Sequence, residues 1–399
     1  MSQVFVDTVK SRDGSTGPNL VGITTVTGNF NVTGVSTISN ITMPNAGTMS
    51  NRNLIHNGEM QVSQRGITTT GQSASSYMTA DRWGYGINFL GTWTIETDSD
   101  SPVGFTSSLT ATCTTADASP AASDAMSVYQ RIEAQNLQHL AFGDAAAEQL
   151  VLSFWVKSNK TGDASVEILQ VDNSNKLFSA EYNISTADTW EYKTISVPAD
   201  TAGVINNDDG TGFQVGWWLN TGSTYTTGSP QSTWATLANE NRNPSNLGVG
   251  GAISDYFSIT GVQLEVGSVA TPFEHRSYAD MLAICQRYFV ALGGRSNIDS
   301  ASNFDYIGTG VITSATSAAL DFHLPVTLRT IPTITFVGTI YLNSPGLQTF
   351  WTSVSAIYSG LSRRVFLIAN MGGNHTANQP CHCYVGNTAS DKFFISADL

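Results

Sequence analysis

The run LVLSFWVK, Leu150 to Lys157, decides how this chain is read. Its side chains alternate. Leu150, Leu152, Phe154 and Val156 fall on one face of an extended strand, and Val151, Ser153, Trp155 and Lys157 on the other, because successive strand residues point to opposite sides of a sheet. FQVGWWLN, Phe213 to Asn220, repeats the pattern, setting Phe213, Val215, Trp217 and Leu219 against Gln214, Gly216, Trp218 and Asn220. Strands that are apolar on one side hide that side by packing two antiparallel sheets face to face. A β-sandwich is therefore expected over residues 51–275, where short strand-like runs are broken by Gly, Asn, Asp and Ser.

Composition agrees. Of 399 residues, 41% are hydrophobic and only 12% charged, which suits an all-β protein with uncharged turns and outer faces better than a helical one rich in surface Lys and Glu. The formal charge of -13 is repelled by nucleic-acid phosphates, and no basic cluster compensates. Neither a signal-length apolar stretch nor a run of about 18 apolar residues occurs, so no membrane insertion is expected. Cys113, Cys285, Cys381 and Cys383 are too scattered for a disulfide framework and read as thiols.

Upstream of the sandwich, residues 1–50 contain VTGNFN (26–31) echoed by VTGVST (32–37). One reading is a β-rich shaft or attachment segment in which Val26, Phe30 and Val32 from three chains face a shared axis; the other is a Ser/Thr/Gly linker. The recurring β-branched residues favour the first. Downstream, YFSITGVQLEVG (256–267) reads as the last sandwich strand. After Pro272 the period changes. Ser277 can cap a helix with Asp280 in its first turn, and Tyr278, Met281, Cys285, Tyr288 and Leu292 follow at alternating spacings of three and four. That is a short coiled-coil seam, giving a helical neck over 276–294 that Gly293 and Gly294 end. An amphipathic helix lying on its own sandwich is the alternative. Residues 295–399 return to strand patterns and are enough for a C-terminal β domain.

Sugar recognition needs flat apolar faces beside amides and hydroxyls. Trp155 and Trp218 lie on the polar faces of their strands and lead the candidates, with Gln214 and Asn220 as hydrogen-bonding neighbours and Tyr225 and Trp234 in the loop-like GSTYTTGSPQSTW. The opposing reading is that a loop or partner subunit covers each ring. Trp83 and Trp190 have stronger claims on the core. NNDDGTG (206–212) places Asp208 and Asp209 beside glycine but lacks the closing Glu of a calcium loop, so a solvated turn is expected. In PCHCYV (380–385), Cys381 and Cys383 share one strand face and His382 takes the other, which makes a zinc site only across three copies. No nucleophile elbow, phosphate loop, HExxH or C-x-x-C pair occurs, and no catalytic activity is expected.

NRNLIHNGEMQVSQRG (51–66), LSFWVKSNKTG (152–162) and above all GVQLEVGSVATPFEHRSYADMLAICQRYF (261–289) resemble the central module of bacteriophage tail fibre proteins, particularly of phages infecting marine bacteria, over roughly residues 51–290. FHLPVTLRTIPTIT (322–335) is similar to a domain at fibre tips. The resemblance implies a homotrimeric virion tail protein assembled in the bacterial cytoplasm, its N-terminus on a tail or baseplate protein and its distal β domains facing the host. The central module is similar to jelly-roll carbohydrate-binding modules, which often carry an acidic calcium ligand just before the VQLE-like run. Thr260 stands there instead, which disfavours a structural calcium and leaves Glu59 and Glu265 as the oxygen donors. The expected function is adhesion to a host-surface glycan or other receptor, without a cofactor; a polysaccharide depolymerase and a purely structural tail or decoration protein remain as alternatives.

Overall fold

Leu150, Leu152, Phe154 and Val156 are all fully buried, as are Phe213, Val215, Trp217 and Leu219, so both alternating runs present the expected faces to one core. The computed structural model describes residues 51–172, 175–293, 305–357, 363–386 and 391–399; Val26, Phe30 and Val32 lie outside them. Two antiparallel sheets form a jelly-roll-like sandwich. One has six strands in the order Thr68–Gln72, Thr92–Asp98, Ser108–Thr115, Tyr256–Val266, Leu150–Ser158, Glu191–Val197. The other has seven, in the order Ala235–Thr236, Lys176–Ile184, Gly162–Gln170, Thr211–Thr221, Ala125–Glu133, Trp83–Asn88, Ser76–Tyr77. Between them, Trp217 meets Trp83 at 5.7 Å and Phe154 edge-on at 5.5 Å, a geometry aromatic rings prefer over face-to-face stacking.

The opening segment is latched to the closing strand by two buried asparagines. Asn53 Nδ2 donates to the Val262 carbonyl at 3.0 Å while its Oδ1 accepts from Ile55 N and Leu264 N. Asn57 Nδ2 donates to the carbonyls of Val62 and Asp81. Buried amides of this kind are stable only when all their groups are paired, which is why NLIHNGEM and VQLEV depend on each other although about 200 residues apart.

After the sandwich, Ser277 accepts from Asp280 N at 3.2 Å and starts a helix over Tyr278–Gln286. The helix ends well short of Leu292. Phe289–Gly293 is instead a strand paired with Lys392–Ser396, which also pairs with Thr333–Val337. The proposed five-residue seam is thereby corrected. Met281 and Cys285 pack on Val62 of the same chain, Asn57 N donates to the Met281 sulfur at 3.0 Å, and Tyr288 is buried beneath Arg82, whose guanidinium carbon lies 3.4 Å from the ring centre. Tyr278 is 56% exposed, and Leu292 sits in the strand, partly buried against the C-terminal core. A spacing of threes and fours was satisfied by the chain's own sandwich, and the aromatic run after Gln286 found a strand partner a hundred residues downstream.

Six other strands from Asp305 onward form a closed barrel, in the order Asp305–Ser314, Ser317–His323, Arg364–Met371, Leu347–Ile357, Ile340–Ser344, Pro380–Val385, with an apolar core that includes Phe322, Leu342, Leu367 and Cys383. Cys381 and Cys383 face inward and His382 outward, following the alternation. All four cysteines are free and buried. Among the described residues no helix is long and apolar enough to cross a membrane.

Candidate functional site

The structure divides the sequence candidates between opposite faces of the sandwich. Trp155 stands on the outer face of the six-stranded sheet, with Tyr192 and Thr260 as its cross-strand neighbours. Its ring lies 5.3 Å from that of Tyr192, tilted by 50°; Tyr192 is 45% exposed and Trp155 half-buried. The closing strand bulges between Thr260 and Gln263, and Gly261 there has φ +60. A Cβ at Gly261 would lie 2.7 Å from a Phe105 ring carbon and 3.0 Å from Trp155 Cδ1, so only glycine lets the two rings close over the backbone. Phe105 continues to Phe273 at 5.1 Å and His275 at 5.4 Å. An aromatic band thus crosses the face from Tyr192 to His275.

Polar groups occupy the next row. Lys157 Nζ donates to Asp100 Oδ2 at 2.6 Å and holds that carboxyl below the usual carboxylate range; Trp190 Nε1 donates to the same carboxylate at 3.3 Å. Trp190 is therefore a half-buried rim residue rather than the core residue expected. Tyr256 donates to Asp188 Oδ1 at 2.6 Å, and burial together with the Asp188 charge pushes its phenol up. Ring faces beside fixed donors and acceptors are the elements of a site for polyhydroxylated rings.

Trp218, on the seven-stranded sheet, is only 5% exposed. Tyr225 lies 5.2 Å away and the Arg242 guanidinium 4.8 Å over its ring, with Arg242 itself gripped by the buried Glu167 through bonds of 2.8 and 2.6 Å. The loop covers the indole, and Trp218 is corrected from a surface platform to a packed residue. Asn220 is likewise buried, its Oδ1 accepting from Asn246. Gln214 remains half-buried and accepts from Arg131 Nε at 2.9 Å. Trp234 packs against Phe213, Phe142 and Phe178 and donates to the Pro198 carbonyl at 2.7 Å, which makes it an edge of the core. Of the four aromatic candidates, Trp218 is buried while Trp155, Tyr225 and Trp234 are half-buried, and Trp155 lies on a different sheet from the rest.

Three of the carboxylates considered for a cation, those of Glu265, Glu59 and Asp208, already accept hydrogen bonds. Glu265 is fully buried and accepts from Thr271 N, Thr271 Oγ1 and Gln263 Nε2, with Arg52 Nε 3.4 Å away, so a guanidinium supplies the positive charge there and the residues do not fit a calcium ion. Thr260 donates to the Ser107 carbonyl. Glu59 pairs with His275 at 2.9 Å. Asp208 Oδ1 caps Gly210 N, and the Asp209 carbonyl accepts from Arg329. Among the described residues no group of three or more His, Cys, Asp or Glu is arranged to hold a metal.

Tyr192, Phe105 and Phe273 escaped the sequence reading. Tyr192 was detectable, since EYKTISV alternates with Ile195 and Val197 inward and Tyr192 on the outer side. Phe105 and Phe273 lie in loops, where no periodicity marks a direction.

No family model matches this chain, and no curated protein does. Among solved structures it is similar to the enzymatically active domain of bacteriophage CBA120 tailspike protein 4, at 15% identity and a TM-score of 0.29, covering 54% of this chain and 21% of that one. A xylan-binding domain from Paenibacillus barcinonensis is similar at 10% identity and a TM-score of 0.27, covering 57% of this chain and 99% of its own. A family 11 carbohydrate-binding module from Clostridium thermocellum, solved with a mixed-linked tetrasaccharide, is similar at 10% identity and a TM-score of 0.25, covering 51% and 98%.

Proposed function

We propose that this chain is the receptor-binding subunit of a bacteriophage tail fibre, and that it attaches the virion to a glycan on the bacterial surface without chemical turnover. The observation that carries the glycan reading is the Trp155–Tyr192 pair, two accessible rings 5.3 Å apart on a sandwich whose core is already complete without them. Large aromatic rings left uncovered cost hydration free energy unless a ligand covers them. The three motifs that resemble fibre modules support the virion assignment. In that reading the chain acts as a homotrimer fixed to the tail or baseplate through residues 1–50. Single sugar contacts are weak, of about millimolar affinity, and several linked copies multiply the apparent affinity by on the order of a hundredfold.

The test is a titration of purified chain with neutral oligosaccharides, followed by indole fluorescence. A saturable quenching component that belongs to Trp155 and is lost in Trp155→Ala is expected, whatever binding remains elsewhere on the chain. Unchanged binding in Trp155→Ala would overturn the site, and shortened sugar chains after incubation would make the protein an enzyme instead.

A further inference from the structure

The barrel carries two parallel rows of side chains that nothing in the sandwich explains. Cross-strand register places Tyr306 opposite Tyr384, Tyr384 opposite Tyr341 and Tyr341 opposite Phe350, so four aromatic residues stand in one line across four adjacent strands. Their ring centres are 5.7, 5.2 and 5.3 Å apart in that order, and the Tyr341–Tyr384 pair is stacked with only 15° between planes. The ends of the line are open: Tyr306 is 69% exposed and Phe350 56%. With strands about 4.8 Å apart, the line runs for about 14 Å.

The same registers set Thr309 opposite His382, His382 opposite Asn343 and Asn343 opposite Gln348. This second line is entirely polar and uncharged in character, and it runs beside the first because its residues are two positions along their strands or, on Asp305–Ser314, across the bulge between Tyr306 and Gly308. The Gln348 amide donates to the Tyr384 hydroxyl, tying the lines together. A groove of about 740 Å³ opens along the polar line, bordered by Thr309, Asn343, His382, Ser344 and Asp321. Asp321 is already held by Arg364, so the border offers little uncompensated charge.

We infer that the outer face of the barrel is a second binding site, independent of the sandwich, for a neutral linear glycan whose rings lie on Tyr306, Tyr341 and Phe350, with the buried Tyr384 holding the line together beneath them, and whose hydroxyl groups meet Asn343 and Gln348. Single-file rings suit an extended sugar chain, since a protein partner needs a broad patch with an apolar centre. The inference rests on the glycan-binding reading of the chain but places the ligand on a different domain.

Full-length chain is titrated with xylohexaose and cellohexaose, with oligogalacturonate as the charged control, in four forms: unaltered, Trp155→Ala, Tyr306→Ala with Phe350→Ala, and all three together. Tyr306 and Phe350 are exposed ends of the row, so their loss leaves the thermal midpoint in place. The expected result is that Trp155→Ala retains saturable binding of a neutral hexasaccharide, which adding the barrel substitutions weakens by about tenfold or more. If Trp155→Ala alone removes all binding, or the triple variant binds as Trp155→Ala does, the barrel site is refuted while the sandwich reading stands. Preferential binding of oligogalacturonate at the barrel refutes the neutral class. A change of solution mass in the barrel variant, with sugar binding intact, shows that another copy of the chain covers the row and also refutes the proposal. If the unaltered chain binds none of the three sugars, both readings fall.

Discussion

Arg287 grips Glu133 with two hydrogen bonds of 2.8 Å, one from Nε and one from a terminal guanidinium nitrogen, at the point where the helix gives way to the strand Phe289–Gly293. Glu133 is fully buried. Burial alone would raise its carboxyl, but Arg287 outweighs that and holds it below the ordinary range. Removing the cation would leave an uncompensated charge in the interior, so Arg287→Ala is expected to cost about 3–5 kcal/mol in urea unfolding. Arg287→Lys keeps the charge but loses the paired geometry and should fall in between. A loss below about 1 kcal/mol in Arg287→Ala would mean that Glu133 is hydrated in solution.

His56 gives the fold a pH dependence. Burial first, then the positive charge of Arg82, lowers its imidazole from 6.5 to about 3, with Arg276 and Arg287 adding to the effect and Glu133 opposing it. The folded chain therefore refuses a proton that the unfolded chain accepts. Stability is fully present above about pH 6.5 and is lost as pH falls towards 3, by about 1–2 kcal/mol at pH 5. Asp81, raised by burial to about 6, acts in the opposite sense, since its protonation favours the folded state below that pH. Comparing the unaltered chain with His56→Gln separates the two: the variant should lose the acid-side decline that belongs to His56, and identical pH profiles would show that His56 remains hydrated.

Trp155 and Trp218 look alike in sequence and should respond differently. Trp155→Ala is expected to weaken neutral-sugar binding by about tenfold or more with little change in thermal midpoint. Trp218→Ala empties a packed site under Tyr225 and Arg242 and should cost about 3 kcal/mol of stability. Equal destabilisation by both substitutions would show that Trp155 is also packing.

Met281 faces Val62 within its own chain, so Met281→Ala should lower stability by about 2 kcal/mol and leave the solution mass unchanged. A drop in mass on that substitution, by light scattering, would restore the helix as a contact between copies.

The sandwich was legible because alternation along a strand is local: Leu150 to Val156 and Phe213 to Leu219 each declare their buried side within eight residues. Cys381, His382 and Cys383 were assigned to their faces in the same way. The helix was legible only at its start, where Ser277 and Asp280 are a local signal. Its end depended on Lys392–Ser396 arriving as a strand partner, and no pattern near Tyr288 announces that. Trp218 failed as a surface candidate for a similar reason. Arg242, which covers it, comes from a loop 24 positions away, and a loop's path is not written in periodicity.

The distribution of the buried thiols makes this chain its own clock for local unfolding. Cys113 sits in the sandwich, Cys285 on the buried face of the helix, and Cys381 and Cys383 inside the barrel. An alkylating reagent added to the intact protein reaches each sulfur only when the layer above it lifts. The order in which the four become blocked, read peptide by peptide, would therefore report which portion loosens first, with no engineered label.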